Sequence, residues 1–279
     1  MPASDHRSIS PGSARGAPLD LAQVNGCLDV KRLGKKFHYF PEIDSTNSHA
    51  RELAERGAAE GEVVLAESQS QGRGRLGRRW ESPPFSNLYL SVILRPKLPP
   101  VRASQITLMA AVALAETVSW FIPQKPAIKW PNDILVDGRK LAGILTEAVC
   151  LPDRVAYVIL GVGVNVNYPI DSMPPELRQR AISLVDLTRV EVSRESFLRR
   201  LIQDLDRCYG VLEQAGFEPL APRWEAHFGQ RGQRVRIELL DQIIVGRALG
   251  IAQDGALLVE GDDGALQRVI AGDVIPLET

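Results

Sequence analysis

Apolar positions along the chain switch between a period of two and a period near 3.6, and the switches outline the elements. Phe37 to Ile43 reads as a strand. Ser45 or Thr46 can cap a helix whose apolar stripe is Ala50, Leu53 and Ala54, and Gly57 is placed to end it. Val63 to Glu67 predicts a short strand. Leu88, Leu90, Val92 and Leu94 alternate, giving a strand with one apolar face. From Ser104, a predicted cap, to Phe121 the chain is apolar on most sides: Ile106, Leu108, Met109, Val112, Leu114 and Val118 leave little polar surface. That pattern predicts a helix buried against a sheet.

Ile134–Val136 and Lys140–Val149 predict two strands joined at Asp137-Gly138, since both residues of a tight hairpin turn must tolerate positive φ. Tyr157 to Val166, apolar and glycine-containing, predicts a central strand. Phe197, Leu198, Leu201, Ile202, Leu205, Tyr209 and Leu212 mark a second long helix. After His227 the texture changes. Val235–Leu239, Ile243–Ile251, Ala256–Glu260 and Leu266–Ile270 are short strands with tight polar turns, the pattern of a small barrel of about 50 residues.

The organisation expected is therefore α+β, in three parts. Residues 1–36 form a tail, flexible over the Pro-, Ser- and Gly-rich first eighteen, with a short helix near Leu19 to Leu33. Residues 37–228 form a mixed-sheet domain covered by helices, and residues 229–279 form the barrel. No repeat is visible.

Charge narrows the function. With 33 basic and 34 acidic residues the net charge is −1, so any anion-binding site must be local rather than a whole basic surface. Cys27, Cys150 and Cys208 are odd in number and far apart, which fits reduced thiols and neither a disulfide framework nor a paired zinc motif. No apolar run approaches the ~18 residues of a membrane span, and the start lacks a secretory layout. The expected compartment is the cytoplasm, with no membrane contact.

The local site is QGRGRLGRRW, from Gln71 to Trp80. Gly72, Gly74 and Gly77 spell GxGxxG after a strand, yet a dinucleotide cradle is rejected. Pro83 and Pro84 follow where a helix should begin. Arg95, Pro96 and Lys97 occupy the region where an acidic ribose partner belongs. Arg73, Arg75, Arg78 and Arg79 instead place four guanidinium groups in seven positions. They repel one another unless an anion joins them, and their forks match phosphate and carboxylate oxygens. A solvated loop or a weak RNA contact is the plainer reading of the segment alone. GxxxxGK[ST], HExxH, CxxC and GxSxG are all absent, and the four histidines are isolated.

Other polar groups stand at strand ends. Ser45-Thr46-Asn47 sits at a strand-to-helix turn, where capping alone would explain a hydroxyl. Lys129-Trp130-Pro131-Asn132-Asp133 breaks a strand and projects Asn132 and Asp133, as a binding site or a simple turn. Lys140 opens a hairpin strand; facing inward it needs an anion, facing outward it is an edge lysine. Gly161, Gly163 and Asn165 leave backbone bare within an apolar strand, for a flat ligand or for packing.

Taken in order, DSTN (Asp44–Asn47), ESQSQGRGRLGRRW (Glu67–Trp80), NLYLS (Asn87–Ser91), KWPNDI (Lys129–Ile134), GRKLAGILTE (Gly138–Glu147) and GVGVNVN (Gly161–Asn167) resemble the biotin protein ligases. The resemblance spans roughly residues 37 to 279. It implies a class II synthetase-like catalytic domain, an SH3-like barrel, and a two-step reaction. Biotin and MgATP would give biotinoyl-adenylate, and a lysine of a biotin carboxyl carrier protein would take the biotin.

Carried over by the resemblance, Ser45, Thr46, Asn47 and Gln69 would hold the biotin ureido ring. Arg73, Gly74 and Arg75 would close over biotin and phosphate as a mobile lid. Lys140 would bridge the biotin carboxylate and the α-phosphate, facing Arg73 and Arg75. Arg75, Arg78, Trp80, Asn132 and Asn165 would line the ATP and adenylate site. Asp133 would serve magnesium or the incoming lysine. Gly143, Gly161 and Gly163 would line the slot for the thiophane ring. Relatives often dimerise by sheet extension, which leaves a homodimer open.

Some relatives carry an N-terminal winged helix and repress transcription; the short segment before the core makes DNA binding unexpected. Ile182 departs from the family's usual threonine, so no site role is expected there. Two competing readings are a lipoate ligase or octanoyl transferase of related fold, and a nucleic-acid module built on the basic loop.

Overall fold

The structure is a computed structural model that describes residues 16–239 and 242–277. The chain runs through α1 (Leu21–Asn25), β1 (Lys36–Phe40), α2 (Thr46–Glu55), β2 (Glu62–Ala66), β3 (Leu88–Leu94) and α3 (Gln105–Phe121). Then come β4 (Ala127–Lys129), β5 (Asp133–Val136), β6 (Arg139–Cys150), β7 (Val155–Val164), α4 (Pro175–Arg178), α5 (Leu184–Thr188), α6 (Arg194–Ala215) and α7 (Ala221–His227). The C-terminal unit holds β8 (Arg234–Glu238), β9 (Ile243–Ile251), β10 (Leu257–Glu260), β11 (Leu266–Val269) and β12 (Asp273–Pro276).

The first seven strands form one mixed sheet in the order β1-β2-β3-β7-β6-β5-β4. β1 and β2 are parallel and the other pairings antiparallel. Period-two alternation sorts β2 and β3 between two cores. Val63, Leu65, Leu88, Leu90, Val92 and Leu94 join the large core that also takes in α3 and α6. Val64 and Ile93 join a small core with Ala50 and Ala54 of α2. β3 is therefore buried on both faces, where the alternation predicted one. On its α2 face Ser91 is fully buried beside the helix start, which turns that end of the small core polar. The stretch Pro100–Phe121, which ends in α3, is long and apolar enough by composition to cross a membrane, but α3 lies in the core, packed on α6 and β6.

Asp137 (φ 49°) and Gly138 (φ 75°) make the predicted hairpin turn between β5 and β6. Gly57 (φ 88°) follows the end of α2 as expected. Two predicted caps work differently. Ser45 occupies the N-cap of α2 without a capping bond from its side chain; Gln69 Oε1 takes the Thr46 N–H instead, at 2.9 Å. Ser104 makes no cap hydrogen bond, and its hydroxyl donates to the Asp254 carbonyl at 3.0 Å.

The N-terminal segment also departs from expectation. Residues 1–15 of the expected flexible tail lie outside the described residues. The helix expected over Leu19–Leu33 contracts to α1, capped by Asp20. The rest is pinned by buried carboxylates: Leu19 N–H donates to Glu67 at 2.7 Å, and Asp206 accepts the N–H groups of Lys31, Arg32 and Leu33 at 2.8–2.9 Å. Local propensity lost here to tertiary hydrogen bonding.

The five C-terminal strands form an antiparallel sheet in the order β11-β10-β9-β8-β12. Trp130, fully buried, anchors this unit by donating Nε1–H to the Gly255 carbonyl at 3.2 Å.

Candidate active site

A cleft of roughly 750 Å³ opens where α2 begins and β6 and β7 run side by side. Every site residue expected from the sequence lines it, drawn from segments more than a hundred residues apart. Its floor is Gly143 paired with Gly163, with Gly161 two residues before. Ser45, Thr46, Asn47 and Gln69 form one end, Lys140 and Asp133 the other, and the Gly/Arg segment the roof.

The first end is a neutral hydrogen-bonding cluster. Ser45, Thr46, Asn47 and Ser91 are buried. Thr46 Oγ1 donates to Gln69 Oε1 at 3.2 Å, and Ser91 Oγ lies 2.8 Å from Thr46 Oγ1 and 2.6 Å from Asn47 Oδ1. Gln69 Nε2 donates to Ser82 Oγ at 3.1 Å. Donors and acceptors without net charge suit a polar, uncharged ligand head.

The other end is cationic. Lys140 Nζ lies 2.7 Å from Asp133 Oδ1 and 5.3 Å from the centre of the Trp80 ring. Arg75 donates to Asn132 Oδ1 at 3.1 Å and to the Gly272 carbonyl at 2.9 Å, with no carboxylate in direct contact among the described residues. Burial pushes the Arg75 guanidinium below its ordinary value, against the pull of Asp273 and Asp133. An arginine so placed is short of an anion. Asn165 sits at the end of β7, where Nδ2 donates to the Ile182 carbonyl at 3.1 Å. Ile182 is buried in the large core, which accounts for an apolar residue there.

Gly72 to Trp80 forms a narrow hairpin, not the start of a helix, in keeping with the rejected dinucleotide reading. Gly74 N–H donates to the Arg78 carbonyl at 2.7 Å and Trp80 N–H to the Gly72 carbonyl at 2.9 Å. Leu76 (φ 55°) and Gly77 (φ 72°) make its tip. A β-carbon at Gly72 would lie 2.5 Å from the Trp80 carbonyl, so the two arms meet only because residue 72 is glycine.

Two placements differ from expectation. Arg73 does not face Lys140: it donates to Ser48 Oγ at 3.2 Å and lies 3.5 Å from Glu147 Oε2. The floor glycines are not bare either. Trp80 rests on Gly143 and Gly163, and the Asn47 amide rests on Gly161. Tertiary packing places an aromatic wall and an amide where glycine spacing suggested only open backbone.

Sequence reading missed Glu147 and Asp273. Glu147 stood within a noted motif, two residues beyond Leu145 on the cleft side of β6. Asp273 had no local signal. It belongs to β12 of the C-terminal unit and pairs with Arg78 of the hairpin and, at 3.8 Å, with Lys129. Burial would raise the Asp273 carboxyl, but the Arg78 hydrogen bond and the charges of Lys129, Arg78 and Arg75 hold it below its ordinary range.

Among the described residues no group of three His, Cys, Asp or Glu side chains could cage a metal. Asp133 is a single carboxylate, already paired with Lys140. That donor set fits magnesium arriving on a nucleotide's phosphates, not a resident ion.

Residues 39–165 match the Biotin/lipoate A/B protein ligase family, and residues 232–275 match the Biotin protein ligase C terminal domain. The chain is 37% identical to the biotin–[acetyl-CoA-carboxylase] ligase of Mycobacterium tuberculosis, over 93% of this chain and 96% of that one. The chain belongs to the biotin protein ligase family.

It is also 35% identical to the bifunctional ligase/repressor BirA of Bacillus spizizenii, over 92% of this chain and 78% of that one. The Aquifex aeolicus biotin protein ligase, solved in complex with biotin and ATP, superposes with a TM-score of 0.76 at 25% identity, covering 88% of this chain and all of that one. The ligase-family match runs from Tyr39 in β1 to Asn165 and contains both strands of the cleft floor, β6 and β7. The C-terminal match contains Asp273, so the site draws on both parts of a biotin protein ligase.

Proposed function

We propose that the chain is an ATP-dependent biotin protein ligase acting through the cleft. In the first step a biotin carboxylate oxygen attacks the α-phosphorus of ATP. A C–O–P bond forms and pyrophosphate leaves. In the second step the amine of a carrier lysine attacks the carbonyl carbon. The amide bond forms, AMP leaves with the anhydride oxygen, and the amine's proton passes to solvent or to Asp133.

The observation that carries this reading is the pairing of two unlike ends in one glycine-floored cleft. The neutral end at Thr46, Asn47 and Gln69 suits a cyclic urea, with Ser45 beside them. The cationic end suits a carboxylate brought against a triphosphate, two anions that must be neutralised to meet. Lys140 bridges those anions once it leaves Asp133, and Arg73 and Arg75 act from the roof. Arg78, Trp80, Asn132 and Asn165 hold the nucleotide, with magnesium on its phosphates near Asp133. Gly143, Gly161 and Gly163 keep the floor low enough for Trp80 and Asn47 to flank the biotin rings.

The carrier is a biotin carboxyl carrier domain, a reading supported by the names of the mycobacterial and Paracoccus denitrificans relatives. We take the protein to act in the cytoplasm, with Cys27, Cys150 and Cys208 as free thiols.

The test supplies the protein with ATP, magnesium, a carrier domain and either biotin or lipoate. Label is expected on the carrier from biotin. Transfer from lipoate alone would replace this reading with the lipoyl branch of the family.

A further inference from the structure

Glu147 is the one acidic side chain that touches both the neutral end of the cleft and its roof among the described residues. It lies on β6 on the side of Gly143 and Leu145, and its carboxylate is about four-fifths buried, at 21% exposure. Oε2 accepts from Asn47 Nδ2 at 2.8 Å and lies 3.5 Å from Arg73; Oε1 lies 3.1 Å from Arg51.

An asparagine amide is nearly symmetric in shape, so it can sit either way round. Its partners must decide which end is which. A carboxylate only accepts, so the end of Asn47 facing Glu147 must be the nitrogen. The Leu145 carbonyl, 3.3 Å from the same nitrogen, adds to that demand. Oδ1 is then turned to Ser91 and lies over Gly161, on the cleft floor. The reverse orientation would set an oxygen against two acceptors.

We propose that Glu147 is a positioning residue for ligand recognition, acting through the amide of Asn47. It keeps an acceptor, Asn47 Oδ1, over the floor of the cleft, with one lone pair left beyond the Ser91 contact. An acceptor fixed at that point selects a ligand head that carries an N–H donor. The proposal rests on the biotin reading, in which that head is the ureido ring with its two N–H groups. The same carboxylate holds Arg73 away from Lys140 until an anion draws it in.

Calorimetric titration of biotin into the full chain tests this. The wild-type protein must first bind biotin; failure there would overturn the ligase reading itself. Glu147→Ala is expected to bind biotin about tenfold more weakly, roughly 1.4 kcal/mol. Arg51→Ala, which leaves the Asn47 contact intact, is expected to bind as the wild type does. The decisive arm is an exchange of polarity, and it does not depend on Glu147→Ala folding. Asn47→Asp sets two carboxylates together and is expected to lose binding. Adding Glu147→Gln to Asn47→Asp restores a donor opposite an acceptor and should recover at least tenfold. No recovery, or wild-type binding by Glu147→Ala, would overturn the role given to Glu147.

Discussion

Lys140 stands between two demands. In the structure its ammonium pairs with Asp133 at 2.7 Å, while the proposed reaction would have it bridge a carboxylate and a phosphate. Removing it deletes charge stabilisation that grows as the two anions meet, so Lys140→Ala should cut pyrophosphate release by about 10³-fold. Circular dichroism should stay native, because a partly exposed side chain contributes little packing. Wild-type pyrophosphate release from this variant would refute the role. Glu62 makes a separate prediction about stability. Burial raises its carboxyl, but His38 at 2.6 Å, Lys36 at 3.0 Å and the Ala59 N–H together lower it to about 2 from an ordinary 4.5. A depressed carboxyl stabilises the fold fully above its unfolded value, and that contribution is lost as pH falls from about 4.5 towards 2. Because Lys36 is well exposed, screening leaves about 1–2 kcal/mol. Glu62→Gln should therefore lower the melting temperature at pH 7 and flatten its acid decline; an unchanged acid profile would refute this.

At the scale of elements, β7 and the Gly/Arg hairpin depend on each other. A β-carbon at Gly163 would lie 2.6 Å from the Trp80 ring, and one at Gly161 only 2.2 Å from the Asn47 amide. Gly163→Val should push Trp80 off the floor, cost about 1–3 kcal/mol of stability by overpacking, and abolish biotin binding. Thermal melting and titration read the two effects separately; unaltered biotin affinity would show that the Trp80 wall is dispensable. The same two elements show what periodicity can and cannot carry. The position of β3 and the Asp137-Gly138 turn are local facts, so they are legible and appear where expected, while the burial of the second face of β3 depends on α2 and is not. The cap of α2 is not local: Gln69, 23 residues from Thr46, replaces the Ser45 side chain. α1 shortened for the same reason, because buried carboxylates on distant elements take up its neighbours' N–H groups. Motif order found the residues around the cleft, but not their partners: the direction of Arg73 follows from Glu147, which only the folded sheet brings near.

For the molecule as a whole, the C-terminal unit closes the site rather than standing apart from it. Arg75 reaches the Gly272 carbonyl, Arg78 pairs with Asp273, and Lys129 lies within 3.8 Å of the same carboxylate. The hairpin roof is thus tied on either side of its tip to Gly272 and Asp273 at the start of β12, and the tie lies on the cationic side. No stretch of sequence announces this, since a small barrel reads alike whether it binds something else or completes a neighbour's cleft. The geometry makes an asymmetric prediction. Arg78 is 67% exposed, so its pair with Asp273 is worth about 1 kcal/mol after screening. Asp273→Ala should raise the KM for ATP about fivefold while biotin affinity, which the proposal assigns to Thr46, Asn47 and Gln69, stays within about twofold. High salt should weaken ATP binding to the wild type more than to the variant, because the variant has already lost a screened contact. If both substrates weaken equally, the barrel supports the fold and not the roof. If neither changes, the hairpin holds its shape without the C-terminal unit, through the Gly74–Arg78 and Gly72–Trp80 backbone bonds alone.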